Sequence, residues 1–556
     1  MPPKTSEKQN FLQGALILSA GTAVVKVIGA LFKIPLQNLI GPVGMTHFNT
    51  AYDIYATLFV ISTAGLPVAV SKMVSEALTK RRLGETRVIF RAAVSCFSII
   101  GFLFACLMFF GARTAAGWMN NPDAYMAVRT IAPAILFVSL MSAFRGFYQG
   151  HGNMIPTVVS QIIEALCKLG IGFVMASWIY NGFLRDNAPP GGLSSLADDA
   201  LKELQSLASE PAAAGAIAGI SIGSVIGMLY LLWRYVRQKK THSPNVSPVV
   251  RPRRQILWEV LRLAIPITIS ASILTLTNLI DNAQVMGRLQ EAAGFTYEQA
   301  KFYNGSYGFA RTLFNLPPAF ILTISVSIIP ALSAALVKRD RKTANRTIAS
   351  SLRITSLLSF PAAAGLIALS FPILDLLSGT SQPEAVATAA PLLTTLGFAV
   401  PFVCLVSLTN AILQSMGRVG LPILTMMVGA IAKIAINYVL VGHPDINIAG
   451  APIGTLVCYA LIAALNLFFI IRASFSARFL GVFIKPLFAA ASMGVAAYGL
   501  NALLTGVLHM NARLSVILTI GAAVLIYLAI ILLIKALPRE DVLLLPKGEK
   551  LAKWFN

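Results

Sequence analysis

Long apolar segments recur from one end of this chain to the other, and they limit its possible folds more than any other feature. Each run has about 18 or more residues, enough to cross roughly 30 Å of hydrocarbon as a helix. Only 12% of the 556 residues are charged and 56% are hydrophobic, whereas a soluble domain carries roughly 25% charged residues. The sequence therefore excludes a soluble globular protein.

We predict an all-α polytopic membrane protein with about fourteen transmembrane helices. The predicted spans are residues 11–36, 47–75, 88–112, 124–147, 154–179, 211–233, 256–284, 304–334, 350–378, 386–413, 421–441, 449–471, 481–504 and 514–535. The formal net charge of +22 would suggest nucleic-acid binding in a soluble protein. Here the basic residues lie in short connections between apolar spans, so we predict no nucleic-acid partner.

The basic residues also predict the orientation of the chain. They cluster after even-numbered spans, at Lys80, Arg81, Arg82, Arg87, Arg234, Arg237, Lys239, Lys240, Arg251, Arg253, Arg254, Lys338, Arg339, Arg341, Lys342, Arg346, Arg472 and Arg478. Such clusters mark the cytoplasmic side. The acidic connection 180–210 belongs outside. Both termini are then cytoplasmic, in a multi-pass protein of the bacterial cytoplasmic membrane.

An internal repeat divides the chain into two lobes. A shift of 265 residues aligns the first copy with the second. It matches Gln149 with Gln414, Gly152 with Gly417, Ala165 with Ala430 and Lys168 with Lys433. Both copies start at the turn from an even to an odd helix, so the lobes should be related by an axis along the membrane normal. We predict an N-terminal six-helix lobe (residues 1–236) and a cytoplasmic basic linker (237–255). A C-terminal six-helix lobe (256–472) follows, and then two extra helices with a cytoplasmic tail (473–556).

The sequence lacks the motifs of common catalytic sites. It has no P-loop, no H-E-x-x-H and no G-x-S-x-G. Its five histidines are scattered, and its five cysteines lie in apolar spans without metal-ligand spacing. We therefore predict that the chain is not an enzyme and that it uses no cofactor and no metal.

Charged residues inside the spans are costly unless they face water or a partner. Lys26 lies deep in the first span, which favours a position in a wet cavity, whereas snorkelling to a surface accounts for Arg129 and Arg145. Glu164 and Lys168 are four residues apart, which predicts a local ion pair. The remaining candidates are Lys33, Asp53, Asp281, Arg311 and Lys433, with Asn437 one turn after Lys433 and Asp281 its expected partner. Helix interruptions are predicted at Gly29, Pro35, Gly65, Pro67, Pro266, Pro317, Pro318 and Pro330, either as packing kinks or as bends for alternating access.

The chain resembles the multidrug/oligosaccharidyl-lipid/polysaccharide (MOP) exporter superfamily in three features. These are the two lobes, the Q-x-x-G turns at Gln149 and Gln414, and the proline-rich second and eighth helices. The two additional helices and the opening NFLQGALILSAGTAVVKVIGALFKIPLQNLIGPVG resemble its branch of stage V sporulation protein B and MurJ-type lipid II flippases. This resemblance covers essentially the whole chain. It implies a central cavity whose basic residues bind a pyrophosphate and sugar head group, and a groove beside the last two helices for the polyprenyl tail.

The resemblance also implies functional residues. Lys26 matches the basic position of the first-helix K/R-V-x-G pattern, and Arg311 matches the cavity arginine of the eighth helix. The second-helix arginine of some relatives has no match in residues 56–60, and we expect Lys33 to compensate. Some relatives of this branch bind sodium with an acid and an amide in the eleventh helix. The matching positions in this sequence are Lys433 and Asn437. The fixed charge of the lysine could therefore replace the sodium ion.

We therefore predict a flippase that moves a lipid-linked anionic saccharide, lipid II-like, to the outer leaflet as a monomer among membrane lipids. Lys26, Lys33, Asp53 and Arg311 are its predicted substrate-binding residues, because cations suit a pyrophosphate. The alternatives are a flippase of another lipid-linked saccharide (capsule, teichuronic acid or spore cortex), a cation-coupled multidrug exporter that uses Asp53, and an integral membrane glycosyltransferase or scaffold.

Overall fold

The computed structural model describes residues 11–80, 82–239, 251–321, 332, 335–336, 340–378, 382–418, 420–474 and 481–536. All regular structure in these residues is helical, which confirms the predicted all-α class. The chain forms two compact units, Met1–Gly308 and Phe309–Asn556. The predicted division into repeat-related lobes, with its boundary in 237–255, stays a prediction.

In its described residues, the first unit contains ten α-helices. They are α1 (Phe11–Thr63), α2 (Leu66–Thr79), α3 (Leu83–Phe110), α4 (Ala112–Trp118), α5 (Tyr125–Gly150), α6 (Ile155–Cys167), α7 (Phe173–Asp186), α8 (Asp198–Lys239), α9 (Arg253–Glu291) and α10 (Tyr297–Phe314), the last of which ends in the second unit. A turn of π-helix, Lys168–Gly172, joins α6 to α7.

From residue 341 onward, the second unit contains seven described α-helices: α11 (Arg341–Ala368), α12 (Ser370–Ser378), α13 (Pro383–Ser415), α14 (Gly420–Val441), α15 (Gly450–Ser474), α16 (Gly481–Gly506) and α17 (Ala512–Leu533). The additional C-terminal helices α16 and α17 share a hydrophobic cluster with α11. The Tyr527 hydroxyl of α17 donates to the Leu357 carbonyl of α11 at 2.7 Å, which ties the C-terminal pair to this unit.

Twelve helical stretches of the described chain are long and apolar enough to cross a membrane. The first of them, Ala20–Thr79, contains the predicted span 47–75 and all but the first nine residues of the predicted span 11–36. Of the predicted span 304–334, the structure describes only residues 304–321 and 332. The chain is thus a multi-pass membrane protein, and the count of fourteen stays a prediction.

A bend at Gly41 separates the first two predicted spans, and it replaces the expected loop. Helix α1 continues through Gly29 and Pro35, where we expected interruptions, and loses helical geometry at Gly41 (φ 68°, ψ −179°). Glycine is nearly the only residue that adopts this conformation. Pro42 follows, and a proline disfavours helical geometry in the residue before it. The Gly-Pro pair therefore determines where the helix breaks.

The chain folds back sharply at this bend. The Lys33 ammonium donates to the Asn49 side-chain oxygen at 2.9 Å, and the rings of Phe32 and Phe48 lie 5.8 Å apart. In a straight helix, residues sixteen apart would be separated by about 24 Å. We call residues 11–40 the first arm of α1 and residues 42–63 its second arm.

The predicted interruption at Gly65 is confirmed, and a close helix contact explains it. Helix α1 ends at Thr63, and α2 begins at Leu66. A Cβ atom on Gly65 would lie 2.0 Å from the Ala264 carbonyl oxygen of α9. The Gly65 amide donates to the Thr268 hydroxyl at 3.1 Å. Glycine thus lets α9 pack directly on the broken backbone.

The two copies of the sequence repeat form the same turn. Gly152 and Gly417, which match at the shift of 265, both have φ 75°. The amide after each glycine donates to a carbonyl five residues earlier, from Asn153 to Tyr148 and from Arg418 to Leu413, both at 3.0 Å. These bonds form a Schellman motif at the end of a helix.

The predicted acidic loop 180–210 is shorter in the structure. Helix α7 continues to Asp186, and α8 begins at Asp198, so the connection covers residues 187–197. Asp198 and Asp199 lie in the first turn of α8, where negative charge stabilises the positive end of the helix dipole.

Candidate functional site

Lys26 lies in the first arm of α1 and is exposed. Gly29 is one turn away, and a Cβ atom there would meet no atom within 4 Å. This face of the arm is therefore open, in a helix apolar enough to span a membrane. Because a charged side chain in hydrocarbon is costly, the open face fits a water-filled cavity better than a lipid contact.

Lys33 lies on the same face of the first arm as Lys26. Seven residues make almost two full helical turns, so the two side chains are displaced by about 10 Å along one face. Lys33 is half-buried, and its contact with Asn49 joins the first arm to the second. The sequence identified both lysines, but it did not predict the fold-back that joins Lys33 to Asn49.

Asp53 of the second arm belongs to a polar chain that joins three helices. Its carboxylate accepts from the Asn282 amide of α9 at 2.9 Å. The Asn282 oxygen accepts from the Asn304 amide of α10 at 2.9 Å. Asn282 and Asn304 are buried, as is the neighbouring Asp281, which is 1% exposed. The sequence indicated Asp53 and Asp281 but not the two asparagines, which carry no charge to mark them.

Two glycines allow α10 to reach the bend of α1. A Cβ atom on Gly305 would lie 1.9 Å from the Pro42 carbonyl oxygen, and one on Gly308 would lie 2.6 Å from the Asn49 amide nitrogen. Larger side chains would push α10 away from the second arm. The close packing therefore keeps Asn304 within reach of Asn282.

The predicted ion pair between Glu164 and Lys168 is wrong. Glu164 binds Arg145 of α5 instead, because the guanidinium approaches from the neighbouring helix and its Nε also donates to Ser160 at 3.0 Å. The snorkelling expected for Arg145 is wrong for the same reason, since the residue is only 8% exposed. Arg129 is exposed, with its guanidinium 4.4 Å from the Phe109 ring centre.

Lys168 points to an aromatic wall on α1. Its ammonium lies 4.7 Å from the ring centre of Tyr52, 5.1 Å from Phe32 and 5.6 Å from Phe48. The Lys33 ammonium lies 5.8 Å from both Phe48 and Tyr52. Two cations therefore share one pair of rings, a favourable arrangement because the ring faces carry partial negative charge.

The other predicted site residues lie in the second unit. Arg311 is half-buried near the end of α10. Lys433 is 6% exposed and Asn437 is 0% exposed, one turn apart on α14. A Cβ atom added to Gly454 would lie 1.9 Å from the Asn437 side-chain oxygen. This close packing encloses the Asn437 amide. The partnership of Lys433 with Asp281 stays a prediction.

The second copy of the repeat has neutral groups where the first has an ion pair. Positions 145 and 164 correspond to Asn410 and Gly429. Asn466 donates to Asn410 at 2.8 Å and to Thr409 at 3.0 Å, and it accepts from Thr425 at 2.8 Å. The first copy is thus tied together by charge and the second by amides and hydroxyls.

A polar cluster near the Gly41 bend joins the second arm to the α4–α5 connection and to α10. His47 and Asn121 are 3.0 Å apart, and the Tyr297 hydroxyl donates to Asn121 at 2.9 Å. Lys301 pairs with Asp123 at 3.2 Å. Burial and the charge of Asp123 raise the pKa of Tyr297 above its ordinary value. Tyr297 therefore stays a neutral donor.

A second ionic cluster connects α3 with the start of α9. Glu85 is 1% exposed and binds Arg251, whose other nitrogen lies 2.6 Å from Glu259. A buried carboxylate needs such a partner. In the sequence, Arg251 is recognisable only as a topological signal, and neither acid stands out. Among the described residues, no group of three or more His, Cys, Asp or Glu side chains could hold a metal ion.

Two family models match parts of the chain. The one described as polysaccharide biosynthesis protein matches residues 11–184, and the one described as MatE matches residues 304–439. Among proteins of Bacillus subtilis (strain 168), the chain is 25% identical to the membrane protein YabM, over 98% of this chain and 96% of the relative. It is 24% identical to stage V sporulation protein B over 83% of each chain. It is 25% identical to the lipid II flippase MurJ, over 78% of this chain and 77% of the relative.

Solved transporter structures have the same fold. An inward closed lipid II flippase MurJ matches with a TM-score of 0.66 and 14% identity, over 92% of this chain and 97% of the other. An inward-facing MATE family multidrug transporter of the MOP superfamily matches with a TM-score of 0.65 and 14% identity, over 84% and 99%. The relatives and neighbours with a named activity are transporters or flippases.

Proposed function

We propose that this chain, which belongs to the MOP exporter superfamily, is a flippase for a lipid-linked anionic saccharide. Its substrate would be a lipid II-like polyprenyl-pyrophosphate precursor of the cell wall. The head group would cross from the cytoplasmic to the outer leaflet by alternating access while the lipid tail stays in the bilayer. The similarity to a lipid II flippase and to a sporulation protein supports this substrate class.

One observation carries the proposal: Lys26 and Lys33 share one face of a membrane-spanning arm, and that face is open at Lys26 and Gly29. Two cations in a wet cavity suit a substrate with a doubly charged pyrophosphate, because ammonium groups are common partners of phosphate oxygens. Arg311 is proposed as a further phosphate ligand on the basis of the resemblance alone.

Asp53 has a different role in this proposal. Its bond to Asn282 places a carboxylate and two amides close together. Such groups can exchange hydrogen bonds with the hydroxyl and amide groups of a saccharide, both as donors and as acceptors. We therefore assign Asp53 and the asparagines to the sugar and the lysines to the pyrophosphate.

The polar chain also bears on the main alternative. A multidrug exporter for cations would bind its substrate through an acid in the cavity, and Asp53 is the acid that the sequence offers. In the structure the Asp53 carboxylate already accepts from Asn282, while Lys26 remains exposed. This pattern favours an anionic substrate. A flippase of another lipid-linked saccharide shares these features, so the choice of sugar depends on the assay.

Translocation of defined lipids in liposomes tests the proposal. The protein is reconstituted with fluorescent lipid II or with a lipid-linked saccharide of another type, and an impermeant quencher reports the fraction in the outer leaflet. We expect flipping of lipid II, and loss of flipping in Lys26→Ala but not in Lys72→Ala, a change of an exposed lysine on α2. Transport of a cationic dye with no flipping of any lipid-linked saccharide would contradict the proposal.

A further inference from the structure

An open groove lies between α3 and α5 of the first unit. Its volume is about 600 Å³, within the range of roughly 300–1,000 Å³ that small-ligand sites occupy. Its walls are almost entirely apolar, and they are formed by Ser98, Ile99, Phe102, Leu103 and Cys106 of α3 and by Leu136 of α5. Ile99, Phe102 and Leu103 are exposed. Because both helices are apolar enough to span a membrane, the groove faces lipid.

A close contact between the two helices holds the groove in place. A Cβ atom on Gly101 of α3 would lie 2.7 Å from the Ser139 Cβ atom of α5 and 3.2 Å from the Leu136 Cα atom. Small residues allow two membrane helices to approach each other this closely. The walls of the groove are therefore positioned by direct packing of α3 on α5.

Arg129 lies at one end of the groove. It precedes Leu136 by seven residues on α5, so the two side chains share a face and lie roughly 10 Å apart along the axis. Its guanidinium carbon is 4.4 Å from the ring centre of Phe109. Phe109 follows Cys106 by three residues on α3, and such residues are neighbours on a helix surface. The groove therefore runs from this guanidinium along both helices.

A second arginine lies beside the first. The Arg113 guanidinium carbon of α4 is 5.2 Å from the ring centre of Tyr125, and Tyr125 comes one turn before Arg129 on α5. Both arginines are exposed, and within the described part of the chain their side-chain contacts are these two rings. A guanidinium that stacks on a ring keeps its N–H donors free at its edge. Two sets of donors are thus open to one acceptor group.

The depth of these arginines in the membrane fits a phospholipid phosphate. Arg129 is five residues into the predicted span 124–147, which is about 8 Å along the helix. Trp118 of α4 is exposed, and exposed tryptophans are typical of the membrane–water interface. Arginine holds phosphate oxygens through two parallel hydrogen bonds. Two arginines also repel the amine of a zwitterionic head group, so the charge favours an anionic lipid.

We propose that the groove and its two arginines bind one anionic phospholipid of the surrounding bilayer, of the phosphatidylglycerol type. In this α3–α5 lipid site the phosphate accepts from Arg113 and Arg129, and an acyl chain lies along α3 from Phe109 to Ile99. That distance is about 15 Å, half of the roughly 30 Å hydrocarbon core. The site uses none of the proposed substrate-binding residues, so it does not depend on the proposed function.

Native mass spectrometry of the purified full chain in detergent tests the site. Dioleoyl phosphatidylglycerol and dioleoyl phosphatidylcholine are titrated separately, and the affinity for the first bound lipid is measured. We expect the wild type to bind phosphatidylglycerol more tightly. R113Q/R129Q should weaken that binding at least about tenfold, because charge-assisted hydrogen bonds to the phosphate are lost, and it should remove the preference over phosphatidylcholine.

Two further variants separate the site from general charge effects. R87Q/R91Q removes two exposed arginines at the opposite end of α3 and should leave the affinity for phosphatidylglycerol unchanged. Cys106→Phe fills the groove while both arginines stay, so it should weaken binding as well. The melting temperature of R113Q/R129Q without added lipid should equal that of the wild type, because both changed side chains are exposed.

Three results would overturn the α3–α5 lipid site. The first is an equal loss of binding in R113Q/R129Q and R87Q/R91Q, since binding would then follow net charge alone. The second is undiminished binding in both R113Q/R129Q and Cys106→Phe. The third is displacement of phosphatidylglycerol by equimolar undecaprenyl diphosphate in a manner that depends on Arg129, which would assign the groove to a transported lipid.

Discussion

Lys33 donates to Asn49 across a bend that lies midway between them in the sequence. The bond can form only because Gly41 has φ 68° and ψ −179°, which turns the second arm back along the first. The position of the Lys33 ammonium therefore depends on the backbone conformation of Gly41.

Replacing Gly41 by alanine should disturb both stability and transport. We expect a loss of about 1–3 kcal/mol, the usual strain of a side chain in this backbone region, and a clear loss of flipping because Lys33 and Asn49 separate. Thermal unfolding in detergent and the liposome assay measure these effects. Gly182→Ala is the matched control, since its Cβ atom would meet nothing within 4 Å inside α7. Equal stability of the two variants would show that the bend does not need glycine.

Breaking the pair of Arg145 and Glu164 should destabilise the first unit. Glu164→Gln leaves Arg145, whose side chain is 9% exposed, without its counter-charge. We expect a loss of about 1–3 kcal/mol, less than for a fully buried pair because Glu164 is 23% exposed. The double variant R145M/E164M should lose less than Glu164→Gln alone, since no charge is left unpaired. An additive loss in denaturant unfolding would contradict the pairing.

The substitutions at Lys26 and Arg311 distinguish a point charge from a bidentate contact. Arg311→Lys should impair transport more than Lys26→Arg, because arginine can hold phosphate oxygens through two parallel hydrogen bonds. Alanine at either position should abolish transport at normal protein abundance. Complementation of a strain depleted of its lipid II flippase, with membrane protein levels measured in parallel, checks this. If both alanine variants complement, the cavity assignment fails.

Sodium should have no effect on transport by the unmodified protein if Lys433 replaces a bound cation. Lys433 is buried one turn from Asn437, and Lys433→Asp would place a carboxylate beside an amide, both oxygen donors suited to a hard cation. We expect several-fold sodium stimulation in Lys433→Asp and none in Lys433→Met. Strong sodium dependence of the wild type in liposomes would rule out the substitution of a lysine for the ion.

The predicted orientation places the connection 187–197 outside and the linker inside. In a background without the five native cysteines, Ser194→Cys should react with an impermeant thiol reagent in intact cells, because Ser194 is exposed. Ser243→Cys, in the basic linker, should react only after the membrane is opened. Labelling of Ser243→Cys in intact cells would reverse the topology.

The sequence predicted the helical spans well because hydropathy alone determines which segments enter a membrane. It did not predict that α1 stays helical up to Gly41, since no hydropathy pattern reports a single change of φ. It also misplaced Glu164, because the rule of pairing four residues apart considers only one helix. Comparison of the two repeat copies does indicate the partner of Glu164. Arg145 and Glu164 correspond to the uncharged Asn410 and Gly429, so both charges are absent from the second copy, whereas Lys168 corresponds to a lysine, Lys433.

The identical turns at Gly152 and Gly417 have a consequence for how such a protein can diversify after duplication. Each copy kept the backbone geometry that ends one helix and starts the next, while the side chains beneath it diverged from an ion pair to a set of amides and hydroxyls. The two copies therefore share the backbone of this turn and differ in the side-chain chemistry near it. Side chains in one copy could therefore change to bind a ligand while the helix packing of the other copy stays the same.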